Sequence, residues 1–380
     1  MTTPNELLTL PAYRRALAVR DLTDPGQGPH ALQLLVQAAI DALSRAWSVP
    51  YLLHRCNPVI PIEDNYDRLG YPPEGVARDA RYTRYVSERL LLRTQTSALI
   101  PDALRRLRLT EEQPDWLVAC PGIVYRRDEI DRQHSGEPHQ LDLWRVTRGP
   151  ALRTADLEAM ICALVGALLP GHRCRTTAAQ HPYTVDGLQI DVECGNAWVE
   201  IGECGLAHPH VLCGANLPVP PHSGLALGLG LDRILMLRKG IPDIRLLRAA
   251  DAHIASQMLD LEPYRAVSHQ PPITRDLSLM VPQNMSKEEM GDLVRSALGD
   301  RATSVEVIEI RSETSYAELP PLAVARMGAL PGQKNVLLRL VLRDLERTLT
   351  HSEANRLRDT VYRVLHAGER QELAVCSAAD

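Results

Sequence analysis

Short segments rich in β-forming residues, joined by loops dense in glycine and charge, constrain the fold of this chain more than any other feature. Turn residues bound each of the four segments that precede residue 210. They cover residues 116–125, 141–146, 188–192 and 198–202. Apolar residues also recur at helical spacing in 32–43 and 157–168. These patterns predict an extended sheet flanked by helices, which is an α+β fold.

A second pattern begins after Pro271 and Pro272, which resist both helix and central strand and so indicate a linker. The order beyond them is strand, helix, strand, strand, helix, strand, typical of a ferredoxin-like βαββαβ domain. Both helices open with a capping box. The predicted strands are 275–281, 305–310, 336–342 and 372–375, and the boxes pair Ser286 with Glu289 and Thr350 with Glu353. We therefore divide the chain into an N-terminal extension (1–29), a catalytic-type domain (30–266) and a terminal domain (267–380).

Composition narrows the possible environments and partners. The 380 residues carry a formal net charge of -5, so nucleic acid would have to meet a local basic patch. Eight scattered cysteines form no CxxC pair, which argues against a zinc site or a disulfide framework. The sequence shows no signal peptide and no apolar run long enough for a membrane span. We expect a cytoplasmic, soluble protein with no membrane partner.

The chain contains no phenylalanine, although average usage would give a dozen or more residues. One interpretation is drift of the lineage toward leucine and tyrosine. The other is that synthesis of this protein was selected not to depend on the supply of phenylalanine. Composition alone leaves both open.

The segment GIVYRRDEIDRQHSGEPHQLDLW (122–144) places Arg126, Asp128 and His134 on a strand, a loop and a returning strand. It resembles motif 2 of class II aminoacyl-tRNA synthetases in the phenylalanyl-tRNA synthetase version. Further blocks agree with that family in order along the chain. They are 65–85, LLRTQTSAL (91–99), WVEIGECGLAHPHVL (198–212), and SGLALGLGLDRILML (223–237) with IPDIR (241–245). Five ordered blocks make the resemblance specific, and it runs from about Asp24 to Asp380.

The resemblance implies an antiparallel sheet flanked by helices and a ferredoxin-like anticodon-binding domain. It also implies ATP-dependent activation of an aromatic amino acid, phenylalanine or a related one, as aminoacyl-AMP, followed by transfer to tRNA. Arg126 would contact the α-phosphate and the substrate carboxylate, and Arg233 the γ-phosphate. Asp128 would lie at the adenine, His134 near the pyrophosphate, and Glu200 would help to hold Mg²⁺.

The same resemblance assigns the substrate's ammonium group to Ser97, Gln140 and Asp142. Asp142 replaces the glutamate of the family, and Glu203 replaces a glycine-like residue. His181-Pro182-Tyr183 stands where the family has Phe-Pro-Phe, while Ala226 keeps the pocket floor small. A buried imidazole and phenol favour a substrate that carries a hydroxyl or an amine. The amino acid is therefore less certain than the reaction.

The sequence also leaves open which molecule accepts the aminoacyl group, because residues 273–380 carry 14 Lys and Arg against 16 Asp and Glu and so have no net positive charge. Arg339, Arg343 and Arg347 could form a local tRNA-binding face near Lys334, or a solvated edge that deters aggregation. The alternative function is a paralogue that delivers its adenylate to a non-tRNA acceptor. A non-enzymatic tRNA-binding regulator is disfavoured by the phosphate-binding residues. The protein is expected to be a monomer or a homodimer.

Overall fold

The computed structural model describes residues 7–267, 271–345 and 347–371 and divides into two compact units. The first contains residues up to 126 together with 137–242 and 256–264. The second contains 127–136, 243–255 and the residues from 265 onward. None of the helices in the described stretches has the length and apolar content needed to cross a membrane.

A seven-stranded sheet forms the centre of the first unit, in the order β1-β4-β5-β9-β8-β7-β6. β1 pairs with β4 in parallel, and the other neighbours are antiparallel. The short strands β2 and β3 form a separate hairpin-like pair. The strands are β1 (Tyr51–Leu53), β2 (Val59–Pro61), β3 (Leu90–Leu92), β4 (Asp115–Ile123), β5 (His139–Arg148), β6 (Cys174–Ala178), β7 (Thr184–Cys194), β8 (Ala197–Ala207) and β9 (His222–Gly230). All four strands predicted before residue 210 are confirmed.

Helices of the first unit bury the faces that their apolar periodicity predicts. Leu32, Leu35 and Leu43 are all fully buried, as are Leu157 and Met160. The helices are α1 (Leu10–Ala18), α2 (Ala31–Trp47), α3 (Ile62–Asn65), α4 (Ile100–Arg106), α5 (Thr154–Leu168), α6 (Pro209–Gly214) and α7 (Leu231–Lys239). The predicted sheet flanked by helices is therefore confirmed.

Residues 7–29 are an integral part of the first unit. Ala16 of α1 packs in a small core with Leu92 and Tyr125. The Leu22 N–H donates to Nε2 of the buried His139 at 3.1 Å, and Nδ1 of that ring lies 2.8 Å from an oxygen of Asp232. A chain of buried hydrogen bonds therefore ties the N-terminal segment to β5 and α7.

The second unit contains a three-stranded antiparallel sheet in the order β10-β12-β11. Its elements are α8 (Ala252–Ala255), β10 (Ile273–Pro282), α9 (Lys287–Leu298), β11 (Val305–Ser315), α10 (Pro321–Met327), β12 (Gln333–Leu342) and α11 (His351–Leu365). Capping boxes open α9 and α11 as predicted, with Ser286 and Thr350 as the N-caps. The predicted strand 372–375 lies outside the described residues.

Residues 127–136, which connect β4 to β5 in the chain, pack within the second unit. Arg295 donates to the carbonyl oxygens of Asp128 and Glu129, and Ile308 N–H donates to Ile130 O at 3.0 Å. This connection and residues 243–255 fall inside the range predicted for the catalytic-type domain. The division at 1–29, 30–266 and 267–380 stays a prediction.

A fully buried carboxylate, Glu306, gathers three guanidinium groups in the second unit. Arg132 forms an ion pair with it, Arg343 Nε lies 2.8 Å from Oε2, and Arg245 Nη2 lies 3.8 Å from the same oxygen. These arginines come from three separate segments of the chain. A desolvated carboxylate stabilises such an arrangement only while its partners stay in place.

Replacement of Glu306 by alanine should destabilise the second unit by about 3–5 kcal/mol, because three arginines would lose their buried counter-charge. Native-state hydrogen exchange of the amides in β12 and α11 measures that loss. Glu313→Ala is the matched control on the same strand, since Glu313 pairs with Lys334 and its side chain is 44% exposed. We expect the control substitution to lower the free energy of unfolding by less than about 1 kcal/mol. Equal losses in the two variants would contradict the proposed role of Glu306.

Candidate active site

The middle strand of the large sheet presents almost no side chains on one face. Ala226, Gly228 and Gly230 alternate along β9, directly opposite Trp144, Asp142 and Gln140 of β5. Directly paired residues project to the same face, so the polar residues of β5 border an open floor. A Cβ atom at Gly228 would lie 3.6 Å from Asp142 Oδ2 and would narrow this cleft.

Asp142 is a carboxylate almost without solvent contact, being 3% exposed. Thr96 Oγ1 donates to Oδ2 at 2.7 Å, and Trp144 Nε1 donates to Oδ1 at 3.3 Å. Burial raises the pKa of Asp142 to about 6, although hydrogen bonds from Thr96, Ser97 and Trp144 oppose that effect. The ionised carboxylate is therefore held in a state that a cationic partner would stabilise.

Ser97 and Gln140 lie beside this carboxylate. Ser97 is 3% exposed in a 3-10 turn covering Thr96–Leu99. Gln140 Oε1 accepts from the Thr96 N–H at 3.2 Å, which fixes the orientation of its amide. The structure thus brings together the three residues predicted to bind an ammonium group.

Aromatic rings line the adjoining part of the floor. The buried Tyr183 stacks on Trp144 with ring centroids 6.4 Å apart, and it also contacts Tyr71 at 6.3 Å and His181 at 5.8 Å. Ala226 is fully buried in the same core cluster as Tyr183 and Trp144. Tyr183 therefore contacts both His181 and the core cluster that contains Ala226, and the side-chain pocket formed by these three residues stays a prediction.

Arg126 and Arg233 both lie near Glu200 of β8. Arg126 Nε donates to Thr94 O at 2.8 Å, and Arg233 Nη1 donates to the carbonyl oxygen of Glu200 at 2.9 Å. Burial and the neighbouring Glu203 raise the pKa of the Glu200 side chain, while Arg233 and Arg126 both lower it. Two cations from separate elements thus act on one half-buried carboxylate.

Asp128 and His134 belong to the second unit. Asp128 Oδ1 accepts from the Glu129 N–H at 2.9 Å. His134 Nδ1 lies 2.8 Å from Asp131 Oδ2. The pKa of Asp131 is lowered to about 2, since the His134 side chain and two backbone N–H groups outweigh its burial. The roles predicted for Asp128 at an adenine and for His134 at a pyrophosphate stay predictions.

Glu200 is the carboxylate predicted to help hold Mg²⁺. Across the described parts of the chain, no group of three or more His, Cys, Asp and Glu side chains could hold a metal ion by itself. A single carboxylate suits Mg²⁺ that arrives with phosphate ligands, because that ion usually combines one or two protein carboxylates with substrate phosphates. Glu200 therefore fits a metal bound together with a polyphosphate.

Two residues of this site carried no recognisable signal in the sequence, and a third, Glu203, was noted only as a departure from the family's pattern. Thr96 is the closest hydrogen-bond donor to Asp142, and Tyr71 donates to Gln95 Oε1 at 3.0 Å beside the aromatic cluster. Glu203 lies 2.7 Å from His181 Nε2. The last contact could have been found only by asking which residue opposes the imidazole that replaces an apolar ring.

Comparisons with known proteins identify two matching families. The model described as tRNA synthetases class II core domain (F) matches residues 57–258, and the Ferredoxin-fold anticodon binding domain matches residues 268–370. These matches, which cover more than half of the chain, confirm the resemblance drawn from the motifs.

Individual relatives are phenylalanine–tRNA ligase alpha subunits. The protein from Prochlorococcus marinus is 35% identical over 194 residues, which are 51% of this chain and 56% of that protein. The one from Clostridium botulinum is 29% identical over 66% of this chain and 72% of its own. The chain thus spans about half the length of the first of these relatives. A solved pyrrolysyl tRNA synthetase from Desulfitobacterium hafniense aligns with 58% of this chain and 73% of its own at 20% identity, with a TM-score of 0.43.

The raised pKa of Asp142 predicts how stability depends on pH. The folded state binds this proton more tightly than the unfolded chain, whose aspartates have a pKa near 3.9. The favourable contribution is complete below that value and is lost as the pH rises through about 6. Two pKa units correspond to about 3 kcal/mol. The Asp142→Asn variant should not show this loss of stability as the pH rises. Urea unfolding of the unmodified protein and of the variant between pH 4 and 7 measures the difference. If the free energy of unfolding changed with pH in the same way in both proteins, the assignment of the raised pKa to Asp142 would be wrong.

Proposed function

Because the chain belongs to the class II aminoacyl-tRNA synthetases, we propose that it activates an amino acid with ATP and transfers the aminoacyl group to tRNA. The amino acid is aromatic, either phenylalanine or a related compound. The observation that carries this proposal is that Arg126 and Arg233 both lie near Glu200, which is on the same sheet as the buried Asp142. A polyphosphate and an amino acid need these two charge environments side by side.

In the proposed reaction, the substrate carboxylate attacks the α-phosphorus of ATP in line. A bond forms between the carboxylate oxygen and phosphorus, the bond to the bridging oxygen breaks, and pyrophosphate leaves. Arg126 holds the α-phosphate and the carboxylate, and Arg233 holds the γ-phosphate. These cation–oxygen contacts strengthen as charge develops on the five-coordinate phosphorus. No general base is needed, since the carboxylate is already ionised at neutral pH.

The other residues of the site have proposed roles as well. Asp142 accepts from the substrate's ammonium group, with Ser97 and Gln140 beside it. Mg²⁺ bound with ATP would neutralise part of the phosphate charge, and Glu200 would hold it on the protein side. Asp128 and His134 are proposed to contact the adenine and the pyrophosphate. Each of these roles follows from the family's motifs at these positions.

The arrangement of Arg126 supports its proposed role. Among the described residues, Thr94 is the only hydrogen-bond acceptor for its guanidinium, and it takes Nε. The planar fork of the group is therefore positioned by the backbone while its terminal nitrogens remain available to a ligand. Arginine presents such nitrogens in a geometry that matches phosphate and carboxylate oxygens.

A second candidate function is delivery of the adenylate to a non-tRNA acceptor. Four cations of the terminal domain that could face tRNA are all engaged by acidic side chains. The pairs are Lys334 with Glu313, Arg339 with Asp276, Arg343 with Glu306, and Arg347 with Glu353. Paired cations contribute less to RNA binding than free ones. Charging of total tRNA with the activated amino acid separates the two functions.

Arg233→Ala should reduce ATP–pyrophosphate exchange by about 100-fold to 1,000-fold, because one preorganised contact to the transition state is lost. The fold should stay intact, which circular dichroism can verify. Arg238→Ala is the matched control, since Arg238 lies on the same helix and donates to Leu168 O instead. Exchange at the unmodified rate in the Arg233 variant would remove Arg233 from the proposed mechanism.

A further inference from the structure

An irregularity in β8 changes which face of the sheet one acidic residue occupies. Asp191 pairs with Glu200, Ile190 with Gly202 and Gln189 with Glu203, so Ile201 is an extra residue in β8. Regular alternation would place Glu200 and Glu203 on opposite faces. The bulge instead puts both on the face that carries Asp191 and Gln189.

This face is the one that contains the cleft. Glu203 pairs directly with Gly228, and Gly228 pairs directly with Asp142. Two carboxylates therefore project from β8 and β5 to the same side, with a glycine between them. Because neighbouring strands lie about 4.8 Å apart, the two backbones are separated by about 10 Å. The space between the two carboxylates, which we call the trough, has only the side-chain-free Gly228 of β9 beneath it.

Glu203 has a hydrogen-bond partner, but most of the accepting capacity of its carboxylate stays unused. His181 Nε2 lies 2.7 Å from Oε2, and the Glu203 side chain is 39% exposed. A carboxylate can accept about four hydrogen bonds, so one imidazole does not satisfy it. Within the part of the chain that the structure describes, the buried His181 Nδ1 has no hydrogen-bond partner, so the pair is not a closed network there.

Glu203 also acts on the groups around the trough. It raises the pKa values of Asp142, Tyr183 and Tyr71 in addition to the effect of burial, which is larger in each case. A negatively charged group of a ligand would therefore be unfavourable between Glu203 and Asp142. A hydrogen-bond donor or a cation would relieve the mutual repulsion of the carboxylates.

We propose that Glu203 is a specificity-determining residue that binds a hydrogen-bond-donating group on the substrate side chain, at the end opposite the ammonium group held by Asp142. The inference rests on the proposed function and narrows the substrate to an aromatic amino acid with a ring hydroxyl or amino group. In this proposal the ring lies over Gly228, next to the aromatic cluster of Tyr183 and Trp144. Phenylalanine would cover Glu203 without giving it a donor, and buried polar groups left unpaired discriminate strongly.

Amino-acid-dependent ATP–pyrophosphate exchange of the full chain tests this assignment. The probes are phenylalanine, tyrosine and 4-aminophenylalanine. We expect kcat/KM for the better of the two donor-bearing amino acids to exceed that for phenylalanine by about 100-fold or more. A preference for phenylalanine in the unmodified protein would overturn the proposal without the need for any variant. If neither the twenty standard amino acids nor 4-aminophenylalanine supported exchange, the proposed function itself would be overturned.

Two variants locate the effect at Glu203. Glu203→Gly should reduce the preference over phenylalanine to less than about 10-fold. Glu203→Gln should preserve part of the selection for both donors, since an amide oxygen still accepts a hydrogen bond but is a weaker acceptor than a carboxylate. Glu193→Gln is the control, because it changes a partly exposed carboxylate of β7 that pairs with Arg173, and it should leave the preference unchanged. An unchanged preference in a folded Glu203→Gly variant would overturn the role of Glu203.

Discussion

The small residues of β9 are the constraint on which the rest of the site depends. Ala226, Gly228 and Gly230 leave the middle of an otherwise well-packed sheet without side chains on one face. The residues of β5 and β8 can therefore face each other across an open trough rather than pack together. Larger side chains here would fill the space that a ligand needs and would push against Asp142.

Electrostatics then divide this trough into regions of different character. Asp142 is desolvated and accepts hydrogen bonds from neighbouring donors, and we propose its carboxylate as the group that binds the substrate's ammonium. Arg126 and Arg233 bring two cations near Glu200, and we propose this second region as the one that receives the phosphates. A reaction between a carboxylate and a phosphate ester requires both regions within the length of one amino acid. The arrangement therefore favours activation over simple binding.

The sequence was sufficient to predict the large elements, because the signals that define them are local. Helical periodicity identified α2 and α5, and the capping boxes at Ser286 and Thr350 identified the starts of α9 and α11. The bulge at Ile201 could not be predicted, since it depends on how β8 registers with β7. The packing of residues 127–136 in the second unit was missed for a similar reason, because its contacts span more than 150 residues of sequence.

The central claim is that two guanidinium groups hold one triphosphate. A crystal structure of the protein with ATP, Mg²⁺ and a non-reactive amino acid analogue measures this most directly. The account predicts the α-phosphate against Arg126, the γ-phosphate against Arg233, and the metal near the Glu200 carboxylate. A triphosphate bound elsewhere, with the two arginine side chains directed away from it and from each other, would contradict the account.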